Sequence, residues 1–107
     1  MFDPKIALNR HIALLVARDN AAEYVDSTRG LNQAIGKVVG QVITHKLAES
    51  KRSMRDNKMW VDEVPIRGMR YQYSFQGRRH EYEASQADID LHIKMVLNNF
   101  EQVFKQV

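Results

Sequence analysis

Apolar positions recur along this chain with a helical period, then with a period of two, then with a helical period again. Leu8, Ile12, Leu15 and Val16 keep helical spacing. Asp3-Pro4 stands ahead of them, an N-cap followed by a proline at the first helical position. Asn20-Ala21-Ala22-Glu23 reads as a capping box, which predicts a break near Asp19 and a short second helical piece holding Tyr24 and Val25. Ser27-Thr28-Arg29-Gly30 is a polar joint. From Leu31 to about Met54, the residues Leu31, Ile35, Val38, Val42 and Leu47 predict a long helix, although its β-branched content partly favours a strand. Gly36 and Gly40 lie four apart on that helix. Each glycine costs about 1 kcal/mol against alanine there, so their presence points to close approach by another helix, within the monomer or across a homodimer.

The rhythm changes after the polar run Lys51 to Lys58. Met59-Trp60-Val61 predicts a strand, Pro65 to Gly68 a turn, and Met69 to Phe75 an alternating strand. Gln76-Gly77 fits a two-residue hairpin loop, and Arg78 to Ala84 the returning strand. That loop fixes the register: Phe75 opposite Arg78, Tyr73 opposite His80, Tyr71 opposite Tyr82, and Met69 opposite Ala84. One face is then aromatic. The other pairs Arg70 with Glu83, Gln72 with Glu81, and Ser74 with Arg79, so opposite charges meet across strands. Ser85-Gln86-Ala87-Asp88 caps a last helix, whose apolar stripe runs Ile89, Ile93, Val96, Leu97, Phe100, Val103, Phe104 and Val107. Leu97 and Phe100 are its expected core anchors, with His92 at the boundary. The expected fold is α+β: N-terminal helices, a three-stranded antiparallel meander, and a C-terminal helix packed on the sheet. With 107 residues, the chain suits one compact domain over 1–107.

Composition narrows the chemistry. The absence of cysteine removes thiol catalysis, disulfides and Cys-based metal sites. The apolar run Ile12 to Ala17 is too short to span a bilayer, and no leader pattern opens the chain. The expectation is a cytoplasmic protein with no membrane partner and no cofactor. His11, His45, His80 and His92 show no metal-ligand spacing on one element, and no phosphate loop, dinucleotide fingerprint or nucleophile elbow occurs. The order helix, three strands, helix is also that of double-stranded-RNA-binding domains. Their Gly-x-Ser-x-x-x-Ala and Lys-Lys-x-Ala-Lys features are missing, so no family is assigned.

Charge is uneven. The formal net charge is +3, and residues 37–80 hold ten Lys or Arg against four Asp or Glu, a local balance of +6. A basic centre attracts phosphate or an acidic protein surface, while a charge run can equally be a solvated face. The expected binding residues are Lys51, Arg52, Arg55 and Lys58 at the helix end, with Arg67, Arg78 and Arg79 at turns. Tyr73, Phe75 and His80, near the hairpin loop, join them, whereas Tyr71 and Tyr82 are expected in the core. The leading expectation is a non-enzymatic protein that presents this surface to DNA, RNA or a nucleic-acid-handling protein. The alternative is a protein–protein inhibitor or adaptor of a phage or plasmid accessory type, acting as a homo-oligomer. A metal-free ribonuclease built from Arg70, Arg79, His80, Glu81 and Tyr82 is the remote alternative. It is weakened because the register sends His80 and Glu81 to opposite faces.

Overall fold

The computed structural model describes residues 2–105, with side chains in the last helix described through Met95 and at Asn98. Helix α1 (Pro4–Ser27) and helix α2 (Leu31–Asp56) precede strands β1 (Met59–Val61), β2 (Arg70–Phe75) and β3 (Arg78–Glu83), and helix α3 (Gln86–Lys105) follows. The sheet order is β1-β2-β3 with antiparallel neighbours. The fold is therefore α+β in the order the hydrophobic pattern predicts.

Helix α1 starts where its sequence signals place it. The Asp3 carboxylate accepts from the backbone N–H of Lys5 and Ile6, at 2.9 and 3.3 Å. The expected break near Asp19 does not occur, and α1 runs unbroken to Ser27. Asn20 and Glu23 are exposed, while Ala17, Ala21 and Val25 continue the half-buried face toward α2. Packing along that face outweighs the local capping signal. The helix closes where the Thr28 hydroxyl donates to the Tyr24 carbonyl at 2.7 Å, and three residues later α2 returns alongside.

The two glycines of α2 have different surroundings. A Cβ on Gly36 would lie 2.9 Å from Tyr24 Cδ1 and 3.0 Å from Val25 Cγ2, so the last turn of α1 rests on bare backbone there. At Gly40 a Cβ would meet nothing of this chain within 4 Å. One turn of α2 carries Gly40 off the contact line, onto an open groove between α1 and α2 of about 550 Å³. Within the chain, the close helix contact lies at Gly36, while Gly40 lines the open groove.

The β2–β3 hairpin forms in the register that its loop dictates, from Arg70↔Glu83 to Phe75↔Arg78. Gln76 and Gly77 both take positive φ, +51° and +83°, the backbone hand that matches the twist of a two-residue hairpin. Met59, Val61, Tyr71 and Ala84 are buried on one sheet face, whereas Trp60 on the other is exposed. Helices thus cover a single face. Tyr82 donates its hydroxyl to Asn9 Oδ1 at 2.6 Å, tying β3 to α1. Ile12, Leu15 and Ile89 fill the centre of the core. At the start of α3, the Asp88 N–H donates to Ser85 Oγ at 3.1 Å, as the capping signal predicts. Leu97 and Phe100 lie outside the described side chains, so their expected anchoring role has no structural test.

Candidate nucleic-acid interface

The end of α2 turns sharply. The N–H groups of Asn57 and Lys58 donate to the carbonyls of Met54 and Arg55, each at 3.0 Å, and Asn57 Nδ2 donates to the Ser53 carbonyl. Lys58 then takes φ +57°, which reverses the chain into β1. Its carbonyl accepts the N–H of Gln76 at 2.8 Å. This bond extends the β1–β2 ladder beyond Met59↔Phe75 by one residue. The helix end and the hairpin loop therefore meet at one end of the sheet.

That meeting gathers Arg52, Arg55 and Lys58 from the helix end with Arg78 and Arg79 from the hairpin. All five are exposed. Among the described residues, none of the five pairs with a carboxylate within 4.0 Å. Asp56 is the one acidic residue in the same turn. Strand alternation splits the two hairpin arginines between sheet faces. Arg78 sits across from Phe75 on the helix-covered face, and Arg79 sits across from Ser74 on the open face, in line with Trp60.

Two of the expected basic residues are placed differently. Arg67 bridges to Arg70 at the start of β2, the end of the sheet away from the loop. Five residue steps of strand separate the two ends, about 17 Å. Lys51 is engaged in a salt bridge with Glu63, whose other oxygen lies 3.7 Å from Arg18. The Lys51 ammonium holds the Glu63 carboxyl below its ordinary range. Arg70 is likewise engaged: it donates to Glu81 at 2.7 Å and lies 4.0 Å from Glu83. These carboxylates push the guanidinium pKa further up.

The aromatic residues near the loop lie on the helix-covered face. The Tyr73 and His80 rings are 5.4 Å apart and tilted, and Phe75 packs beside Phe2 at 6.3 Å. Tyr73 and Phe75 are half-buried and His80 is exposed. Glu81 stands across from Gln72 on the other face, so His80 and Glu81 do not share a pocket.

Two residues stand out that no sequence motif marks. Trp60 is 56% exposed on the open face. The burial pattern of β1, buried–exposed–buried, was readable from its neighbours Met59 and Val61, and it places the indole outward. His11 is 0% exposed, with Nδ1 2.8 Å from Ser50 Oγ. Its Nε2 has no hydrogen-bond partner. Burial, reinforced by the charge of Lys51, lowers its pKa to about 4, so the ring is neutral at pH 7. Trp60 and His11 both line a groove of about 410 Å³ between the end of α2 and β1, together with Lys51, Arg55 and Asp62.

Among the described residues, no group of three His, Asp or Glu side chains could hold a metal ion. No described helix is long and apolar enough to cross a membrane. Comparison with known protein families, curated proteins and solved structures finds no match for this chain.

Proposed function

We propose that this chain is a small non-enzymatic binding protein of the cytoplasm that holds nucleic acid by its phosphates. The observation that carries this reading is the bond between the Gln76 N–H and the Lys58 carbonyl, 2.8 Å long. It joins two basic segments far apart in sequence into one tip, with Arg52, Arg55, Lys58, Arg78 and Arg79 free of ion pairs among the described residues. Guanidinium groups bind phosphate oxygens in a forked geometry, and each neutralised phosphate releases a counterion. Affinity should therefore fall steeply with salt, by about 0.9 log units per log unit of salt for each engaged phosphate of duplex DNA. A gel-shift or anisotropy titration from 50 to 200 mM salt tests this. Replacing Arg52, Arg55, Arg78 and Arg79 together by Gln should nearly abolish binding and leave the melting temperature little altered. No binding to DNA or RNA at low salt, or an unaltered salt slope in the quadruple variant, overturns the reading. The tip would then serve solvation or dock an acidic protein surface.

One observation favours a second reading, self-association as a protein–protein module. Leu31, Ile35 and Val38 occur at positions i, i+4 and i+7 of α2, and Leu31 is 77% exposed. A second copy would cover this stripe. Light scattering on the wild type and on a variant with Leu31→Glu and Ile35→Gln checks it: a dimer mass that drops to monomer supports it, and a monomeric wild type removes it.

A further inference from the structure

Beside the tip, a groove opens between the end of α2 and β1. Trp60 lines the groove of about 410 Å³, Arg55 belongs to both groove and tip, and Asp62 adds an acidic residue to the lining. The Lys51 and Glu63 charges at the groove neutralise each other. Behind the groove surface, His11 is fully buried and its Nε2 has no hydrogen-bond partner among the described residues. A recess lined by a largely exposed tryptophan, an arginine and an aspartate suits a flat heteroaromatic ring with polar edges.

We propose that this groove takes an unpaired nucleobase, stacked on Trp60, from the strand whose phosphates the tip holds. The inference rests on the phosphate-binding reading and deepens it by choosing single-stranded over duplex nucleic acid. Its volume is near the lower end of the ~300–1,000 Å³ typical of small-molecule sites, enough for one base with its sugar and too small for a base pair. A duplex would have to extrude a base to fill it, at the expense of pairing and stacking. Arg55, which lines the same groove as Trp60 and belongs to the tip, supplies a cation for the phosphate next to a stacked base. A base offers donors along its edge, to which the Asp62 carboxylate can respond. Stacking tolerates any base, so no strong sequence preference is expected.

Trp60 is the single tryptophan of the chain, so its fluorescence reports directly on the groove. The test titrates the whole protein at low salt with oligo-dT, with oligo-rU, and with a blunt DNA duplex of equal phosphate number. The two single strands separate a DNA from an RNA source of the base. Either single strand should bind more tightly than duplex and change the emission of Trp60, whereas duplex should bind without that change. Trp60→Ala should weaken single-strand binding about 5- to 100-fold. Duplex affinity should stay the same, and Trp60→Phe should recover most of the loss. Circular dichroism melting confirms that both variants fold. Single-strand binding without a fluorescence change overturns the groove while leaving the phosphate tip standing. An equal effect of Trp60→Ala on single strand and duplex does the same. Failure of every probe to bind overturns both readings.

Discussion

His11 Nδ1 and Ser50 Oγ lie 2.8 Å apart and join α1 to α2 across 39 positions of sequence. Both side chains are buried, and the imidazole is held neutral by its surroundings, with a pKa near 4. Lys51, Arg10 and Arg18 oppose its protonation, and Glu63 favours it.

This geometry makes stability depend on pH in a defined window. The folded-state pKa is depressed from the model-peptide value of 6.5 to about 4, so between them the unfolded chain binds the extra proton. The stability linked to His11 is complete above about pH 6.5 and is lost as pH falls toward 4, a total of about 3 kcal/mol. Glu63 acts in a lower window, because its carboxyl titrates below its ordinary value of 4.5. Urea unfolding at pH 7, 5.5 and 4.5 should show the decline for the wild type and a flatter profile for His11→Gln. Equal pH dependence in the two proteins would count against His11 as the cause.

The two glycines of α2 should respond in opposite directions to alanine. Gly40→Ala adds a methyl in open space and should stabilise the helix by up to about 1 kcal/mol. Gly36→Ala must displace Tyr24 and Val25, whose carbons lie 2.9 and 3.0 Å from the new methyl. Overpacking of this kind costs about 1–3 kcal/mol, more than the propensity gain. Denaturation midpoints of the two variants check the sign, and a stabilised Gly36→Ala would show that the helix pair has room to give.

Removing the Tyr82 hydroxyl leaves Asn9, a buried residue, without its 2.6 Å donor. Tyr82→Phe should cost about 1–3 kcal/mol, the usual range when a buried acceptor loses its partner. Chemical denaturation measures it. A loss below about 0.5 kcal/mol would mean that water replaces the hydroxyl at Asn9.

Position, rather than charge alone, should decide which arginines matter for binding. Arg67→Gln should leave affinity and salt slope as in the wild type, because it sits at the opposite end of the sheet. Arg55→Gln or Arg78→Gln should each reduce the slope by about one unit for duplex DNA. Parallel salt titrations of the three variants decide, and an equal effect of Arg67→Gln would point to a diffuse field instead of a tip.

The hairpin was legible because two local rules agree on it. A two-residue loop at Gln76-Gly77 and a period of two leave a single register that pairs Arg70 with Glu83 and hides Tyr71. The continuity of α1 was not legible. Asn20 and Glu23 form a plausible cap, and only the packing of Tyr24 and Val25 on Gly36 shows that the helix continues. The basic residues were visible as a composition bias. Their grouping depends on β1 pairing with β2 at Met59↔Phe75, a contact whose register the intervening loop leaves open. His11 gave no signal, since a lone histidine in an apolar helix acquires its Ser50 partner and its unpaired Nε2 only through tertiary contact. Trp60 could have been found from the burial alternation of its two neighbours.

The bond between Tyr82 and Asn9 spans 73 positions, and Ile89 completes the same core that α1 begins. The core that α1 begins is therefore completed only by α3, the last element of the chain. Helix α1 emerges first, with Leu8, Ile12 and Leu15 wet until α2, the sheet and the first turn of α3 arrive to cover them. Such distant pairings delay folding, since the intervening chain must be ordered before the contact repays it. A ribosome-bound chain ending before β3 should bind a hydrophobic dye strongly, and one that has released Ile89 should not.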